Sequence, residues 1–269
     1  MTGPLEARGV TVRRGGRAIL RDCTVRAIRG DVTAVIGPNG SGKSTLLRVL
    51  AGLWRSDTGT VMLDGTPLSG RSRSEIARRV GFLPQETRCD FAFTVEEMVA
   101  LGRHPHRGQP DEQTRGEHAI NAAIVTCGLE HLRARAVDRL SGGERHRVAI
   151  ARCLAAEPDT LLLDEPTAHL DLQHALDVFA LGRSLAASGR AVVIATHDIS
   201  AIARIATTAI VLNRGDVVTA GPLPEVLTPD LCRGVFGVER HDVPQGESRP
   251  ILVFSSATTG PEPRRESIA

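Results

Sequence analysis

The sequence predicts an α/β fold built on a mostly parallel sheet. A short apolar run, Val32–Ile36, leads directly into a glycine-rich segment, which is followed by a helical pattern. After Pro158, strand and helix patterns alternate at 160–163, 173–187, 191–195 and 208–212. Because strands that alternate with helices pair in parallel, the helices are expected to cover both faces of the sheet.

The first third of the chain predicts several short strands around one helix. Partial alternation at 10–13 and 23–27 is typical of half-buried strands, and 59–68 predicts a strand followed by a turn at Asp64-Gly65. The helix after the glycine-rich segment is expected to present Leu46, Leu47, Val49 and Leu50 to a core and to end before Gly52.

The middle of the chain, residues 86–157, predicts helices without intervening apolar strands. Helical spacing is present at 96–101 and 117–127, and the residues between these segments, 102–113, predict a polar loop. His104 and His106 lie in this loop, and we expect them at the surface, because the proline between them is poor geometry for a metal or haem site.

Composition and charge exclude several classes of protein. Of the 269 residues 24% are charged, and the net charge of +2 is too small for wrapping a nucleic acid. No window approaches about 18 uninterrupted apolar residues, and the first ten residues lack the apolar core of a secretory signal, so another chain would have to bring the protein to a membrane. The five cysteines form no CxxC pair and are expected to be reduced thiols: Cys23, Cys89, Cys127, Cys153 and Cys232.

The strongest chemical signal is the segment GPNGSGKST, which matches the phosphate-loop pattern G-x-x-x-x-G-K-[ST] between a buried strand and a helix. Backbone N–H groups of such a loop bind phosphate oxygens, the lysine reaches the β- and γ-phosphates, and the hydroxyl after it binds Mg²⁺. The candidate ATP-binding residues in this loop are Gly37, Pro38, Asn39, Gly40, Ser41, Gly42, Lys43, Ser44 and Thr45.

The second signal is TLLLDEP, a buried strand that ends in two carboxylates. In open α/β sheets ligands bind at the carboxyl ends of the strands, so Asp164 and Glu165 are expected beside the phosphate loop. Asp164 suits a role at Mg²⁺, and Glu165 can polarise the water that attacks ATP. Together the two motifs indicate a phosphate-loop NTPase that uses ATP and Mg²⁺.

The third signal, LSGGE before a long helical run, resembles the signature of the ATP-binding-cassette (ABC) family. The resemblance implies an ABC-type fold, with an antiparallel β subdomain and an inserted helical subdomain beside the mostly parallel core. It also implies a head-to-tail homodimer in which Ser141, Gly142 and Gly143 meet the ATP of the other copy. The expected interface residues are Leu140, Ser141, Gly142, Gly143, Glu144, His169, Leu170 and Asp171.

Further residues match the family in order along the chain. Gln85 resembles the glutamine that senses Mg²⁺ and the attacking water, and His197 resembles the histidine that contacts the γ-phosphate. The resemblance therefore implies the catalytic set Lys43, Gln85, Glu165 and His197 and the Mg²⁺ ligands Ser44, Gln85 and Asp164. It extends from about residue 5 to residue 254 and implies one ATPase domain, 1–254, with a core at 1–85 and 158–254 and a helical lobe at 86–157. The residues after it, 255–269, are rich in Pro, Arg and Ser, a composition that predicts a disordered tail.

The sequence departs from the family pattern at the position that stacks on adenine. The family commonly has a tyrosine there, whereas this chain has no tyrosine and places Arg14 at the matching position. Because a guanidinium plane can stack on a purine ring, Arg14 is a candidate adenine-binding residue.

Within the family, the segment FAFTVEEMVALGRHPH resembles the ATPases of importers for ferric siderophores, haem and cobalamin. This implies a peripheral protein at the cytoplasmic face of the bacterial inner membrane, with a separate integral permease dimer docked around residues 85–99 and an extracytoplasmic substrate-binding protein beyond it. The alternatives are another transporter type, including an exporter, a soluble ABC ATPase acting on ribosomes or DNA, and a non-catalytic nucleotide-gated regulator.

Overall fold

Strands and helices alternate between residues 160 and 213, whereas helices follow one another between residues 95 and 155. The computed structural model describes residues 4–85, 92–168, 170–245 and 248–256. The strands are β1 (Leu5–Arg14), β2 (Arg17–Ala27), β3 (Val32–Ile36), β4 (Thr58–Leu63), β5 (Thr66–Pro67), β6 (Val80–Leu83), β7 (Thr160–Asp164), β8 (Ala191–Thr196), β9 (Thr208–Asn213), β10 (Asp216–Pro222), β11 (Val238–Gln245) and β12 (Ser248–Ser256). The helices are α1 (Lys43–Leu50), α2 (Arg73–Ala77), α3 (Val95–Ala100), α4 (Glu112–Thr126), α5 (Gly142–Ala155), α6 (Leu172–Ala187), α7 (Ile199–Ile202), α8 (Leu223–Val226) and α9 (Pro229–Leu231).

A six-stranded sheet in the order β10-β9-β3-β8-β7-β6 lies at the centre of the fold. All neighbouring pairs from β9 to β6 are parallel, and only the edge strand β10 is antiparallel to its neighbour. The predicted mostly parallel sheet is therefore confirmed. Since parallel strands align their carboxyl ends, β3, β7 and β8 deliver the segments that follow them to one edge of the sheet.

A second, antiparallel sheet in the order β2-β1-β4-β5 confirms the expected β subdomain. The predicted turn at Asp64-Gly65 connects β4 to β5, and both residues have left-handed backbone angles, with φ of 48° and 79°. Glycine and aspartate adopt such angles at low cost, which explains why a turn forms here.

The central sheet has a hydrophobic core on each face, because side chains alternate along its strands. In β3, Val32, Ala34 and Ile36 belong to the larger core, which also contains residues of the helices α3, α4, α5 and α6. Val35 points to the other core, where α1 packs beneath the antiparallel sheet. The helical segment and the antiparallel sheet thus cover opposite faces of one sheet.

The predicted polar loop 102–113 and the predicted surface position of His106 are wrong. Residues Leu101–His106 form a 3₁₀ turn, and α4 begins at Glu112 rather than near Glu117. His106 and Arg103 are buried, with His106 Nε2 3.0 Å from the carbonyl oxygen of Ala156 and Arg103 Nη1 donating to that of Ala155 at 2.8 Å. The turn is buried because the last carbonyls of α5 need hydrogen-bond donors from outside the helix. His104 is exposed, as expected.

The structure contains strands that the sequence did not predict. The four-residue strand β6 immediately precedes Gln85, and β11 pairs with β12 as an antiparallel hairpin at the end of the described chain. Ser255 and Ser256, predicted to begin a disordered tail, belong to β12. The rest of that predicted tail, 257–269, lies outside the described residues.

The cysteines Cys23, Cys127, Cys153 and Cys232 are free and buried, which agrees with reduced thiols, and Cys89 lies outside the described residues. Burial raises the pKa of the Cys127 thiol to about 12 and that of Cys153 to about 11. Within the described parts of the chain, no helix is both long and apolar enough to cross a bilayer.

Candidate nucleotide-binding and catalytic site

The glycine-rich loop connects the central strand β3 to α1, and two of its glycines cannot be replaced without moving neighbouring atoms. A β-carbon at Gly37 would lie 2.1 Å from the carbonyl oxygen of Leu212. At Gly42, where φ is 107°, it would lie 2.7 Å from Cδ2 of Leu20. These close approaches hold the loop against β2 and β9 with its backbone N–H groups at the start of α1, where anions bind favourably.

Lys43, the first residue of α1, has a buried ammonium group that faces the loop. Its Nζ donates to the carbonyl oxygens of Gly37 at 2.8 Å and Pro38 at 3.3 Å, and it lies 3.9 Å from Oε1 of Glu165. Burial lowers the pKa of Lys43, and the nearby Glu165 carboxylate partly opposes that change. The Lys43 ammonium thus donates its hydrogen bonds to neutral carbonyl oxygens, and a phosphate oxygen can replace these as the acceptor.

Ser44 and Asp164 meet between α1 and the end of β7. The Ser44 hydroxyl donates to Oδ1 of Asp164 at 2.9 Å. Asp164 is fully buried, burial raises the pKa of its carboxyl group, and the Ser44 hydrogen bond opposes that rise. Its Oδ2 is buried without a hydrogen-bond partner among the described residues. A hydroxyl, a carboxylate and an unpartnered carboxylate oxygen fit Mg²⁺, which prefers oxygen ligands.

Glu165 follows β7 in a left-handed conformation, with φ of 49°, that is uncommon for residues other than glycine. Its N–H donates to the carbonyl oxygen of Ala195 at 2.8 Å, which fixes the backbone against β8. The carboxylate is almost buried, and its Oε2 lies 2.8 Å from Nδ1 of His197 at the end of β8. The His197 ring is 66% exposed, so this pair joins a shielded carboxylate to an accessible imidazole.

Lys43, Ser44, Glu165 and His197 line one cleft of about 360 Å³ above the carboxyl edge of the sheet, and Asp164 lies beneath it, bonded to Ser44. The cleft also includes Gln85, directly after β6, and Ile19 of β2. Sequence reasoning missed Ile19, since a single aliphatic residue in a strand carries no motif. The structure therefore brings together the following predicted residues: Asn39, Gly40, Ser41, Gly42, Lys43, Ser44, Thr45, Gln85, Glu165 and His197.

The LSGGE segment forms the beginning of α5. Ser141 is the N-cap residue: its hydroxyl accepts from the Glu144 N–H at 3.2 Å, and its own N–H donates to Oε2 of Glu144 at 2.7 Å. This reciprocal arrangement leaves Gly142 exposed at the helix start. The Leu140 side chain is buried in the larger core, and Gly143 is buried as well.

Leu170 and Asp171, the described part of the HLD segment (residues 169–171), directly precede α6, whose residue His174 contacts Gly143 of the LSGGE segment. Asp171 caps α6 by accepting from the N–H of His174 at 2.9 Å, and Leu170 packs partly against the larger core. Residue 169, also predicted at the dimer interface, lies outside the described residues.

Arg14, the candidate adenine-binding residue, stacks on an aromatic ring of its own chain. Its guanidinium lies 4.9 Å from the centroid of the Trp54 ring, and the guanidinium of Arg48 lies 5.2 Å from the same centroid. Arg14 is at the tip of the β1–β2 hairpin, and the same hairpin contributes Ile19 to the cleft. The tryptophan that positions Arg14 could not be found from the spacing of the motifs.

Comparisons with known proteins identify the family of the chain. Residues 20–168 match the family model described as ABC transporter. The chain is 40% identical over 265 residues to a hemin import ATP-binding protein, HmuV, of Rhodococcus jostii (strain RHA1), covering 97% of this chain and 87% of that protein. It is 41% identical over 235 residues to a cobalamin import ATP-binding protein, BtuD, of Halobacterium salinarum, covering 86% of this chain and 58% of that protein.

Solved structures show the same fold. One is an inward-facing transporter assigned provisionally to the metal-chelate ABC type, which is 28% identical, with a TM-score of 0.79 over 95% of this chain and 97% of that chain. Another is a dimeric ATP-binding cassette in a post-hydrolysis state with ADP and Pi, which is 29% identical, with a TM-score of 0.71 over 81% of this chain and 98% of that chain.

Proposed function

The chain belongs to the ABC transporter family, and on this premise we propose that it is the ATP-hydrolysing subunit of a bacterial importer for haem or cobalamin. It is an ATPase that uses ATP and Mg²⁺, as the family does. The observation that supports hydrolysis best is the Glu165–His197 pair beside Lys43 in one cleft. The names of the relatives support import of haem first and of cobalamin second.

The residues of the cleft suggest how hydrolysis proceeds. The phosphates of ATP replace the carbonyl oxygens of Gly37 and Pro38 as partners of the Lys43 ammonium. Ser44, Asp164 and Gln85 would hold Mg²⁺, which, when bound, neutralises charge on the β- and γ-phosphates. Glu165 orients the attacking water and accepts its proton, while the exposed ring of His197 contacts the γ-phosphate and steadies the Glu165 carboxylate.

We propose that two copies bind two ATP molecules between them. The start of α5 in each copy, with Ser141, Gly142 and Gly143, would meet the γ-phosphate held by the phosphate loop of the other copy. Helix N-termini favour anions, which supports this arrangement. In each copy we propose one ATPase domain, 1–254, with a core at 1–85 and 158–254 and a helical lobe at 86–157. The larger core, which β7 and β8 share with α5, supports a single domain made of both parts.

We place this dimer at the cytoplasmic face of the membrane, bound to a separate permease dimer. The permease would dock around residues 85–99, of which 86–91 lie outside the described residues. A substrate-binding protein on the opposite side of the membrane would deliver the cargo, and no nucleic acid takes part.

Affinity purification of the Glu165→Gln variant from native cells, in mild detergent with ATP, tests the assignment to an importer. We expect mass spectrometry to identify a polytopic permease with the variant, and we expect haem-loaded binding protein to stimulate the ATPase of the wild-type complex in vesicles. If a binding protein loaded with cobalamin or a ferric siderophore stimulates the ATPase instead, the assignment to an importer stands and only the proposed cargo changes. Ribosomal proteins or DNA with no membrane partner would contradict the transport function.

We propose that the adenine ring of ATP stacks on the face of the Arg14 guanidinium that is turned away from Trp54. The opposite face of the guanidinium stacks on the Trp54 ring. Stacking on a cation contributes about 0.5–1 kcal/mol at exposed sites, so Arg14→Ala should weaken ATP binding by about two- to fivefold. Binding of inorganic tripolyphosphate, which has no base, should not change. Trp54 is the chain's single tryptophan and there is no tyrosine, so its fluorescence reports both titrations.

Arg48→Ala is the matched control for Arg14, because it removes the other guanidinium from the same Trp54 ring. We expect it to shift Trp54 emission without changing the ratio of ATP to tripolyphosphate affinity. Equal losses for ATP and tripolyphosphate in Arg14→Ala would mean that Arg14 acts on the phosphates rather than on the base.

A further inference from the structure

The imidazole of His174, on α6, lies directly against Gly143 at the start of α5. A β-carbon at Gly143 would be 2.3 Å from Cδ2, 2.6 Å from Cγ and 2.8 Å from Nε2 of His174. Contacts this short leave no room for a side chain at Gly143, so the ring packs on the backbone itself. Glycine at this position therefore serves a contact within the subunit, in addition to any contact with ATP.

The opposite side of the same ring is bound to Asp171. Nδ1 of His174 lies 2.7 Å from Oδ1 of Asp171, which also accepts from the backbone N–H of His174 at 2.9 Å. The backbone N–H and the ring together lower the pKa of the Asp171 carboxyl group, so the carboxylate accepts and Nδ1 donates. One residue thus fixes the end of the HLD segment by two hydrogen bonds.

His174 consequently connects two segments that are far apart in the chain and that belong to different parts of the fold. Gly143 begins a helix that packs with α3 and α4, whereas Asp171 follows β7 of the central sheet. Both segments are among the residues proposed to face the other copy. About a third of the imidazole is exposed, so the ring lies at the surface where those segments meet.

We propose that His174 is a positioning residue for the ATP-bound dimer: its imidazole holds the LSGGE segment and Asp171 of one subunit in a fixed arrangement, so that both reach the other subunit together. This inference rests on the proposed function, because it assumes the two-ATP dimer. It assigns no contact between His174 and ATP.

If His174 has this role, its loss should weaken the formation of the dimer and leave nucleotide binding to one copy unchanged. Without the imidazole, the Gly143 backbone loses its packing partner and Asp171 loses one of its two hydrogen bonds, so the two segments move independently before the copies meet. ATP binding to a single copy should be unaffected, since the phosphate loop and its Lys43 lie in a cleft that does not include His174.

The test compares variants in the Glu165→Gln background with ATP and Mg²⁺. His174→Ala should weaken ATP-dependent dimerisation, measured by sedimentation, by about three- to tenfold, which corresponds to the usual net value of one hydrogen bond. His174→Asn retains a donor near the Nδ1 position and should recover part of the loss. ATP affinity of the monomer, measured at low protein concentration by Trp54 fluorescence, should stay unchanged in both.

Gln173→Ala is the control, because Gln173 is the preceding residue of α6 and its side-chain amide donates to Oδ1 of Asp177, at 3.1 Å, on the same helix. It should dimerise like the parent. If His174→Ala also dimerises like the parent, or if it lowers the ATP affinity of the monomer to the same extent as dimerisation, the positioning role is refuted. If the parent itself does not dimerise with ATP, the proposed dimer fails, and the inference fails with it.

Discussion

Replacing Glu165 with Gln is expected to slow ATP hydrolysis by about 10²–10⁴-fold, the usual contribution of a general base, while ATP remains bound. Gln has nearly the same size as Glu and can still accept a hydrogen bond from Nδ1 of His197, but it cannot take a proton from water. The backbone bond of Glu165 to Ala195 is independent of the side chain, so the segment should keep its conformation.

ATP binding should be maintained or become tighter in this variant. The Glu165 carboxylate lies 3.9 Å from Nζ of Lys43, and its negative charge opposes the approach of phosphates to the same ammonium. The neutral amide removes that repulsion. An ATP-stabilised dimer should therefore accumulate, and light scattering after size exclusion can detect it.

Phosphate release under single-turnover conditions is the decisive measurement for Glu165, because it isolates hydrolysis from product release. The matched control is Glu225→Gln, which makes the same chemical change at an exposed position in the first turn of α8. We expect the control to hydrolyse ATP at the parent rate. A Glu165→Gln variant with the parent rate would remove Glu165 from its proposed role.

The sequence predicted the central sheet and the grouping of the cleft residues because both depend on local patterns. A buried strand followed by a phosphate loop, and another followed by two carboxylates, must meet at one edge of a parallel sheet. Lys43, Asp164 and Glu165 were therefore placed together without knowledge of any tertiary contact, and the structure has them within one site.

The features that the sequence did not predict concern residues whose environment is decided by distant parts of the chain. His106 is buried because the end of α5, fifty residues later, supplies a carbonyl oxygen. The sequence also did not show that the Leu140 side chain belongs to the larger core, although its place at the dimer interface stays a prediction. Neither residue lies in a periodic pattern that would distinguish a buried position from an exposed one. The contact of Trp54 with Arg14 likewise joins residues that no sequence pattern connects.

Replacing Lys43 with Ala is expected to weaken ATP binding by about 10- to 150-fold, since hydrogen bonds to a charged group contribute about 1.5–3 kcal/mol. The variant should remain folded, because burial lowers the pKa of Lys43 and the folded state therefore gains nothing from holding this ammonium charged. The loss should appear in binding itself, which distinguishes Lys43→Ala from Glu165→Gln.

Thermal unfolding with and without ATP can measure this loss. Ligand binding stabilises the folded state by RT ln(1 + [L]/Kd), which is about 2.7 kcal/mol at a ligand concentration of 100 Kd. At the same ATP concentration, an affinity 10- to 150-fold weaker leaves about 1.4 to about 0.3 kcal/mol, so about half to nine-tenths of this stabilisation should disappear in Lys43→Ala. Arg107→Ala removes an exposed cation outside the cleft, and this variant should keep the full stabilisation by ATP.

Lys43 is the only lysine of the chain, which provides an independent test in the unaltered protein. An acylating reagent can modify no other side-chain amine, so mass spectrometry reads the labelling of one site directly. We expect ATP with Mg²⁺ to protect Lys43 and tripolyphosphate to protect it as well, since the ammonium binds phosphates rather than the base. Labelling that ATP does not reduce, together with normal ATP affinity in Lys43→Ala, would contradict the assignment of this loop to the phosphates.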